Sequence, residues 1–343
     1  MSPHRARQET EHIDSVTQIV FGASVAAACA PAGHRRRALA VGAALGTLPD
    51  LDVLIDYGDA VSNFTYHRGF SHSLFVLAPF AIGLWAVLRR FWEPVRAAPQ
   101  AWFFAILLAL VTHPLLDAHT AYGTQIWWPL NVAPTSWSTL FIIDPAYTLP
   151  LLLAVIVAAF AGARPLAGKA IVTGLTLCLL YLAWTWVAKL SFEQTMRTQL
   201  AQDGVAYRSI FSTPSPFNTL MWRGIVLTDS GYLEGRYSLL ADERVHFIDA
   251  PFNRDLLAEA ANLDAVQRLD WFARGFVRAD VTGNELILTD LRMGQHPTFV
   301  FQHAVATMSD EGWSVTSPRR IPVDFDARQL DTVWDALLNG NAP

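Results

Sequence analysis

Residues 15 to 190 are mostly apolar with isolated charges, and carboxylates and imidazoles are set into that stretch in tight clusters. Apolar runs of about 20 residues are long enough to cross a bilayer. Ionisable groups beside hydrocarbon are costly to desolvate, and a bound divalent cation compensates them well. The densest cluster runs from Leu48 to Ser73. It reads Leu48-Pro49-Asp50-Leu51-Asp52 and, after a short loop, His67-Arg68-Gly69-Phe70-Ser71-His72-Ser73. A second cluster, His113-Pro114-Leu115-Leu116-Asp117, lies inside another apolar run. The two stretches are expected to meet and hold a metal.

The apolar runs set the expected architecture. Residues 1–13 read as a mobile tail. Asp14-Ser15 offers an N-cap for a helix from about Val16 to Ala32, rich in small residues suited to close packing. A basic turn (residues 33–37) leads to a run from Ala38 to Leu48, too short to span fully. Phe70 to Leu88, Ala101 to Leu116, Ile143 to Ala163 and Ala170 to Ala188 are expected to span. The last is uncharged throughout. Trp127, Trp128 and Trp137 in the intervening loop suit an interfacial belt.

Only 16% of the 343 residues are charged and 52% are hydrophobic. Soluble domains average about 25% charged, so the deficit points to a membrane protein. It is uneven, because residues 191–343 have ordinary soluble composition. Strands are expected at Tyr232 to Leu240, His246 to Ile248, Gly275 to Val281, Glu285 to Leu291 and Thr298 to Ala304. Helices are expected at Asp255 to Phe272 and Asp326 to Leu338, and a rigid turn at Thr213 to Asn218. The fold class is therefore a polytopic α-helical membrane domain over residues 14–190, with about four full spans and two shorter ones, followed by a C-terminal soluble α+β domain.

A net charge of −5 without a basic stripe argues against nucleic acid as a partner. Cys29 and Cys178 lie in apolar runs and read as small hydrophobes. The basic turns at 34–37, 89–96 and 164–169 alternate along the chain with the polar clusters. The positive-inside rule makes those turns cytoplasmic, which puts the polar clusters and the C-terminal domain on the outer face. Arg5 and Arg7 fall on that face against the rule.

His113 and Asp117 are spaced i, i+4 and share one helix face, so both can bind one ion. An exposed polar pair at a helix end is the ordinary alternative. Asp50 and Asp52 stand two apart where a helix is left, and His67 and His72 flank Arg68-Gly69 just before a span. Each pair alone reads as a polar exit turn. Three carboxylates and three histidines gathered on one membrane face read as a metal site, with Asp50, Asp52, His67, His72, His113 and Asp117 as candidate ligands. Nitrogen and oxygen donors without thiolate suit Zn²⁺, Mn²⁺ or Fe²⁺, as one ion or a bridged pair. Such sites are commonly hydrolytic. Arg68 is the candidate anion clamp, and Asp144 is a candidate general base or a helix N-cap. His119 reads as a bystander. GxSxG, Walker A, GxGxxG and HExxH motifs are absent.

Several motifs together match one family. They are GTLPDLD at 46–52, YHRGFSHSL at 66–74, THPLLD at 112–117, YGTQIWWP at 122–129, IIDPAYTLPLL at 142–152, TPSPFNTLMWR at 213–223 and TDLRMG at 289–294. Over about residues 14 to 300 the chain resembles the YdjM/YbcI-type family of inner-membrane proteins, which are read as metal-dependent hydrolases from their motif chemistry. The resemblance implies an inner-membrane protein with the six residues above as ligands. The resemblance implies one departure: many members carry His where this chain has Gln18, while a subgroup carries Gln. If that His is a ligand in those members, this site has one fewer, and His119, which stands where an apolar residue is expected, is the candidate to compensate. The functional expectation is metal-dependent hydrolysis at the outer membrane face, on a membrane lipid or an anionic lipid-linked phosphoester. The rival is a transporter or partner-binding scaffold with a structural metal clip. A transporter is expected to carry polar groups near the midplane and related halves, and neither is visible.

Overall fold

The computed structural model describes residues 3–310, 312–323 and 337–340, with side chains from Val16 onward. Six helices build the N-terminal region: α1 (Pro3–Cys29), α2 (Arg35–Thr47), α4 (Leu74–Phe91), α6 (Pro99–Asp117), α7 (Pro145–Ala161) and α8 (Pro165–Gln202). Two short helices, α3 (Ala60–Tyr66) and α5 (Glu93–Ala97), link them. Three of these helices, α4, α6 and α8, are long and apolar enough to cross a membrane, and residues Val16–Cys29 and helix α7 form shorter apolar segments. The four full spans expected are thus three by length.

Helix α1 begins at Pro3, so the segment expected to be a tail is helical and Asp14-Ser15 lie inside the helix rather than capping it. Arg, Gln and Glu between positions 5 and 11 are good helix formers, and nothing there breaks the run.

Glycine fixes the closest helix contact. A Cβ on Gly46 of α2 would meet Gln18 O of α1 at 2.5 Å, and one on Gly42 would meet Gly22 O at 2.2 Å. Only residues without side chains let the two backbones approach this far. Helix α6 fills the middle of the bundle. Trp102, Ala105, Ile106, Ala109 and Leu110 are buried in one cluster with residues of α1, α2 and α4. Helix α4 is the opposite case, with 11% of its apolar window buried.

Basic residues tie the far ends of the helices together. Arg36 donates to the carbonyls of Ala159 and Phe160 at 2.7 and 2.9 Å, which completes the open C-terminal turn of α7. Trp102 Nε1 donates to His34 Nδ1 at 3.2 Å and sets the start of α6 at the same level.

Helix α8 has 38 residues and is about 57 Å long. It crosses residue 190, where composition changes, without a break. Its apolar run continues into Ala188, Phe192, Met196 and Leu200, which pack on Trp222, Val226 and Val245. The C-terminal region holds two four-stranded antiparallel sheets. The first runs β1 (Ser209–Pro214), β2 (Met221–Leu227), β3 (Gly231–Ser238), β4 (His246–Pro251) in spatial order. In the second the order is β10 (Gly312–Arg320), β9 (Gln302–Ser309), β6 (Glu285–Asp290), β5 (Val277–Thr282). Strands β7 (Gly294–Gln295) and β8 (Thr298–Phe299) make a small hairpin.

The expected helix from Asp255 to Phe272 is two helices, α9 (Arg254–Glu259) and α10 (Asp264–Ala273). The linker or turn expected from Thr213 to Asn218 does connect β1 to β2, with only Thr213 and Pro214 taken into β1 and Asn218 Oδ1 accepting from the amides of Leu220 and Met221; the expected strand from Thr298 is split between β8 and β9. The expected helix at Asp326 to Leu338 lies largely outside the described residues.

A second element, besides α8, joins the two regions. Helix α3 follows Asp52 and precedes His67, and its Val61 and Phe64 are buried among Leu269 and Phe272 of α10, Leu288 of β6 and Val305 of β9. Asp59 caps α3 by accepting from the amides of Val61 and Ser62. Arg268 of α10 donates to Thr65 Oγ1 at 2.9 Å and stacks on the Tyr66 ring at 4.1 Å. The segment that carries the first cluster is therefore held from above by the C-terminal region.

Candidate metal centre

Three elements deliver the donors. Helix α2 ends at Thr47, and Pro49 opens a 3-10 turn, Pro49–Leu54, that carries Asp50 and Asp52. A second 3-10 turn, Phe70–His72, carries His72 just before Ser73 caps α4. Helix α6 carries His113 and Asp117 on one face. One donor atom from each of Asp50, His72, His113 and Asp117 lies within 4.8 Å of the other three. His72 Nε2 stands 3.2 Å from Asp50 Oδ1, 3.1 Å from Asp117 Oδ2 and 3.1 Å from His113 Nε2. His72, His113 and Asp117 are 0–2% exposed, and Asp50 is 20% exposed.

Both imidazoles are fixed in aim. His113 Nδ1 lies 2.8 Å from Gly46 O. A carbonyl only accepts, so Nδ1 carries a proton and Nε2 is the nitrogen turned to the cluster. Ser71 Oγ donates to Asp52 Oδ2 at 2.6 Å and lies 2.9 Å from His72 Nδ1. With its proton committed to Asp52, the hydroxyl accepts from His72 Nδ1–H, and His72 Nε2 is likewise turned inward. Two Nε2 atoms and two carboxylate oxygens therefore converge. Nitrogen and oxygen donors at this spacing fit one divalent ion, which would take the place of any Nε2 proton. The four residues could hold a metal ion.

The other candidates lie around this group. Asp52 is buried and accepts from the Arg68 amide at 2.9 Å, from Ser71 Oγ and from His67 Nδ1 at 2.8 Å. Burial opposes its ionisation, but the bonds and charge of His67 outweigh that and hold its carboxyl below the usual range. Asp52 and His67, expected as ligands, are outside the group of four because Asp52 has turned its oxygens to Arg68, Ser71 and His67. Asp52 orients His72 through Ser71, and such outer partners fix ring position and basicity.

Arg68 is 2% exposed with φ at +58°. Its guanidinium sits 3.5 Å from Asp117 Oδ1, donates to Thr120 Oγ1 and lies over the Tyr122 ring. It is the charge neighbour of a donor carboxylate. Asp144 is the N-cap of α7. Its Oδ1 accepts from the amides of Ala146 and Tyr147, and Tyr181 Oη donates to Oδ2 at 2.8 Å. Both oxygens are engaged in that cap, and Asp144 is not one of the four. His119 packs on Trp137, meets Thr139 Oγ1 at 2.8 Å, and burial pushes its pKa down to about 4. It does not replace the missing imidazole.

Gln18 does join the site. Its Nε2 donates to Asp117 Oδ1 at 2.8 Å, and its Oε1 is buried without a hydrogen-bond partner. The close α1–α2 approach places it there. Ser71 and Gly46 were missed as site residues. Ser71 sits between two histidines in the motif and was visible. Gly46 acts through its carbonyl, which leaves no side-chain signal.

The family model described as YdjM inner membrane protein matches residues 13–192. The chain is 39% identical over 95 residues to "Inner membrane protein YbcI" of Escherichia coli (strain K12), covering 27% of this chain and 52% of that protein. It is 26% identical over 240 residues to "Uncharacterized protein YfhP" of Bacillus subtilis (strain 168), covering 65% and 68%. The match thus spans about half the length of YbcI. No solved structure matches the chain. The family and the three apolar helices support a place in the inner membrane. Since the matched residues are just over half of the chain and include all four clustered donors, the chain belongs to the YdjM inner membrane protein family.

Proposed function

We propose that Asp50, His72, His113 and Asp117 hold one divalent cation, Zn²⁺, Mn²⁺ or Fe²⁺, and that the protein hydrolyses a lipid or lipid-linked phosphoester in the outer half of the membrane. The observation that carries this reading is the pair of anchored Nδ1 atoms, which turns both Nε2 atoms onto two carboxylate oxygens. An ion bound there supplies Lewis acidity toward water and a phosphoester oxygen. Asp50 forms the accessible side of the centre. Ser71 and Asp52 hold His72 by its Nδ1, Gly46 holds His113, and Gln18 with Arg68 orients Asp117. The basic turns, read by the positive-inside rule, support a C-terminal region outside the cytoplasm. A reporter fused after Pro343 is expected to be active only there, and cytoplasmic activity overturns the orientation.

The second reading, a structural clip, draws on the same geometry. Four protein donors fill a tetrahedral ion, whereas catalytic zinc keeps three and an open position. A six-coordinate Mn²⁺ or Fe²⁺ keeps two positions open. Metal identity therefore separates the readings. Elemental analysis of detergent-purified protein is expected to find about one ion per chain. The same protein is then assayed against phospholipids and lipid-linked phosphates with Mn²⁺ or Zn²⁺ present. Turnover that is lost on chelation and restored by metal supports the hydrolase. A tightly held zinc ion, whose removal only lowers the melting temperature, replaces it with the clip.

A further inference from the structure

The depth of the centre follows from helix lengths. Arg36, His34 and Trp102 tie the starts of α2 and α6 to the end of α7 at one level. From that level α6 rises about 16 Å to His113 and about 22 Å to Asp117, and α2 rises about 18 Å to Thr47. Measured from Cys29, Gln18 stands about 16 Å up α1. The hydrocarbon core is about 30 Å thick. With the basic turns at one interface and α6 near the bilayer normal, His113 would stand about midway through that slab and Asp117 about 8 Å below its outer surface.

The side of the centre that reaches the surface is apolar. Asp50 is the exposed donor, and the residues after it are Leu51 (49% exposed), Val53 (50%), Leu54 (79%) and Ile55 (43%). Next to them, Phe70 meets Trp128 edge-on, and Phe75 at the start of α4 packs on Trp127. Phe70, Trp127 and Trp128 are each about two-fifths exposed. This edge is continuous with the outward face of α4. An exposed leucine at the mouth of a polar site is unfavourable in water and ordinary against acyl chains.

We propose that the metal centre opens sideways into the outer leaflet, and that its ligand is the phosphate-bearing head of a membrane lipid whose chains lie along Leu51, Leu54, Ile55 and Phe70. This rests on the metal-centre reading above and adds the direction of entry. A divalent ion with carboxylate and imidazole donors takes oxygen anions. At this depth the oxygen anion has to arrive attached to something that dissolves in hydrocarbon. A water-soluble phosphate pays desolvation before it reaches Asp50, whereas a lipid head is already at the boundary.

Two measurements on the full chain in phosphatidylglycerol nanodiscs test this. The first places a bimane label on Leu54→Cys in a Cys29→Ala, Cys178→Ala background, with Val315→Cys on strand β10 as the aqueous control. Lipids carrying a nitroxide high on the acyl chain are expected to quench the Leu54 label several-fold more than aqueous iodide does, and the Val315 label is expected to behave the opposite way. Iodide-dominated quenching at Leu54 overturns the proposal. The second loads the protein with Mn²⁺ and reads phosphorus-31 relaxation of the lipid and of added inorganic phosphate in one sample. Enhanced lipid relaxation that disappears in Asp117→Ala is expected. Enhancement confined to inorganic phosphate, or none at all with the ion bound, overturns the lipid ligand. If elemental analysis finds no ion in the wild-type protein, the metal reading itself falls together with the ligand, while the quenching result still decides whether the edge faces lipid.

Discussion

Both regions of the molecule bury carboxylates, and they treat them differently. In the C-terminal region, Glu234 accepts from Arg223 Nη2 at 2.8 Å and from the His296 amide, and Asp290 accepts from Arg292 Nη2 at 2.6 Å and from the Arg292 amide. Beside those two carboxylates the atoms left over are donors, Arg223 Nε and Arg292 Nη1, and donors attract no cation. Beside Asp117 two acceptors are left over, its own Oδ2 and Gln18 Oε1, and the two Nε2 atoms, 3.1 Å apart, face the same point. A buried charge with its counter-charge in place is architecture. Converging acceptors are a site awaiting a cation. Burial alone does not distinguish the two.

The sharpest test of that difference is a crossed pair of substitutions. Asp117→Ala is expected to reduce bound metal from about one ion per chain to under about a tenth, because a ligand is lost from the centre. Glu234→Gln is expected to leave metal content unchanged while costing about 3–5 kcal/mol of stability, since Arg223 stays buried without its counter-charge. Elemental analysis and thermal melts of both variants, with and without chelator, read the two effects separately. If Glu234→Gln loses the metal, or Asp117→Ala keeps it, the contrast between the regions is broken.

A pH titration probes the C-terminal region alone. His303 is 1% exposed, and burial, aided by Arg320, pushes its pKa down to about 4. Above about pH 6.5 the imidazole is neutral in both folded and unfolded chains and costs nothing. As pH falls from there toward 4 the unfolded chain takes the proton first, so stability is lost across that window, by about 3 kcal/mol in full. His303→Leu is expected to remove that loss, and the difference between the two melting curves from pH 7.5 to 4.5 isolates it. Parallel curves refute the assignment.

The four donors were legible as chemistry but not as a set of four. PDLD, HRGFSHS and THPLLD announce metal ligands, yet spacing does not say which Asp or His turns inward. Neighbours in a tight 3-10 turn point to different sides, so Asp50 faces the centre while Asp52 faces His67. The prediction that follows concerns this pair. Asp52→Asn keeps the shape and removes the charge that anchors Ser71 and His72. It is expected to weaken metal affinity 10- to 100-fold, about 1.4–2.7 kcal/mol, with the stoichiometry intact. A competition titration with a metal-sensitive dye measures it. Complete loss of metal restores Asp52 to the ligand set.

Apolar helices were legible because length and composition suffice for them. The C-terminal strands were legible only where residues alternate or branch. Strand β2, Met221–Leu227, is buried at every position and so shows no period of two. Strand β1 ends at Pro214, inside a segment whose two prolines read as a turn. The break between α9 and α10 carries neither Gly nor Pro, and tertiary packing of Ala260 and Leu263 decides it.

The smallest effect concerns an element both regions share. Helix α3 has seven residues, too short to hold itself without its cap and its packing. Its cap, Asp59, accepts from the amides of Val61 and Ser62 and from Ser62 Oγ. Asp59→Ala is expected to cost about 1 kcal/mol, a shift of a few degrees in a melt. Its value lies in where the shift appears. Val61 and Phe64 belong to the C-terminal core, while His67 follows one residue after the helix. Fraying of α3 therefore loosens Asp52's partner as well as the core. Hydrogen exchange is expected to speed up in both β6 and the segment from His67 to Ser73, with metal stoichiometry unchanged. Faster exchange in β6 alone makes α3 a part of the C-terminal region that merely passes the site, and the coupling between the regions is then left to α8.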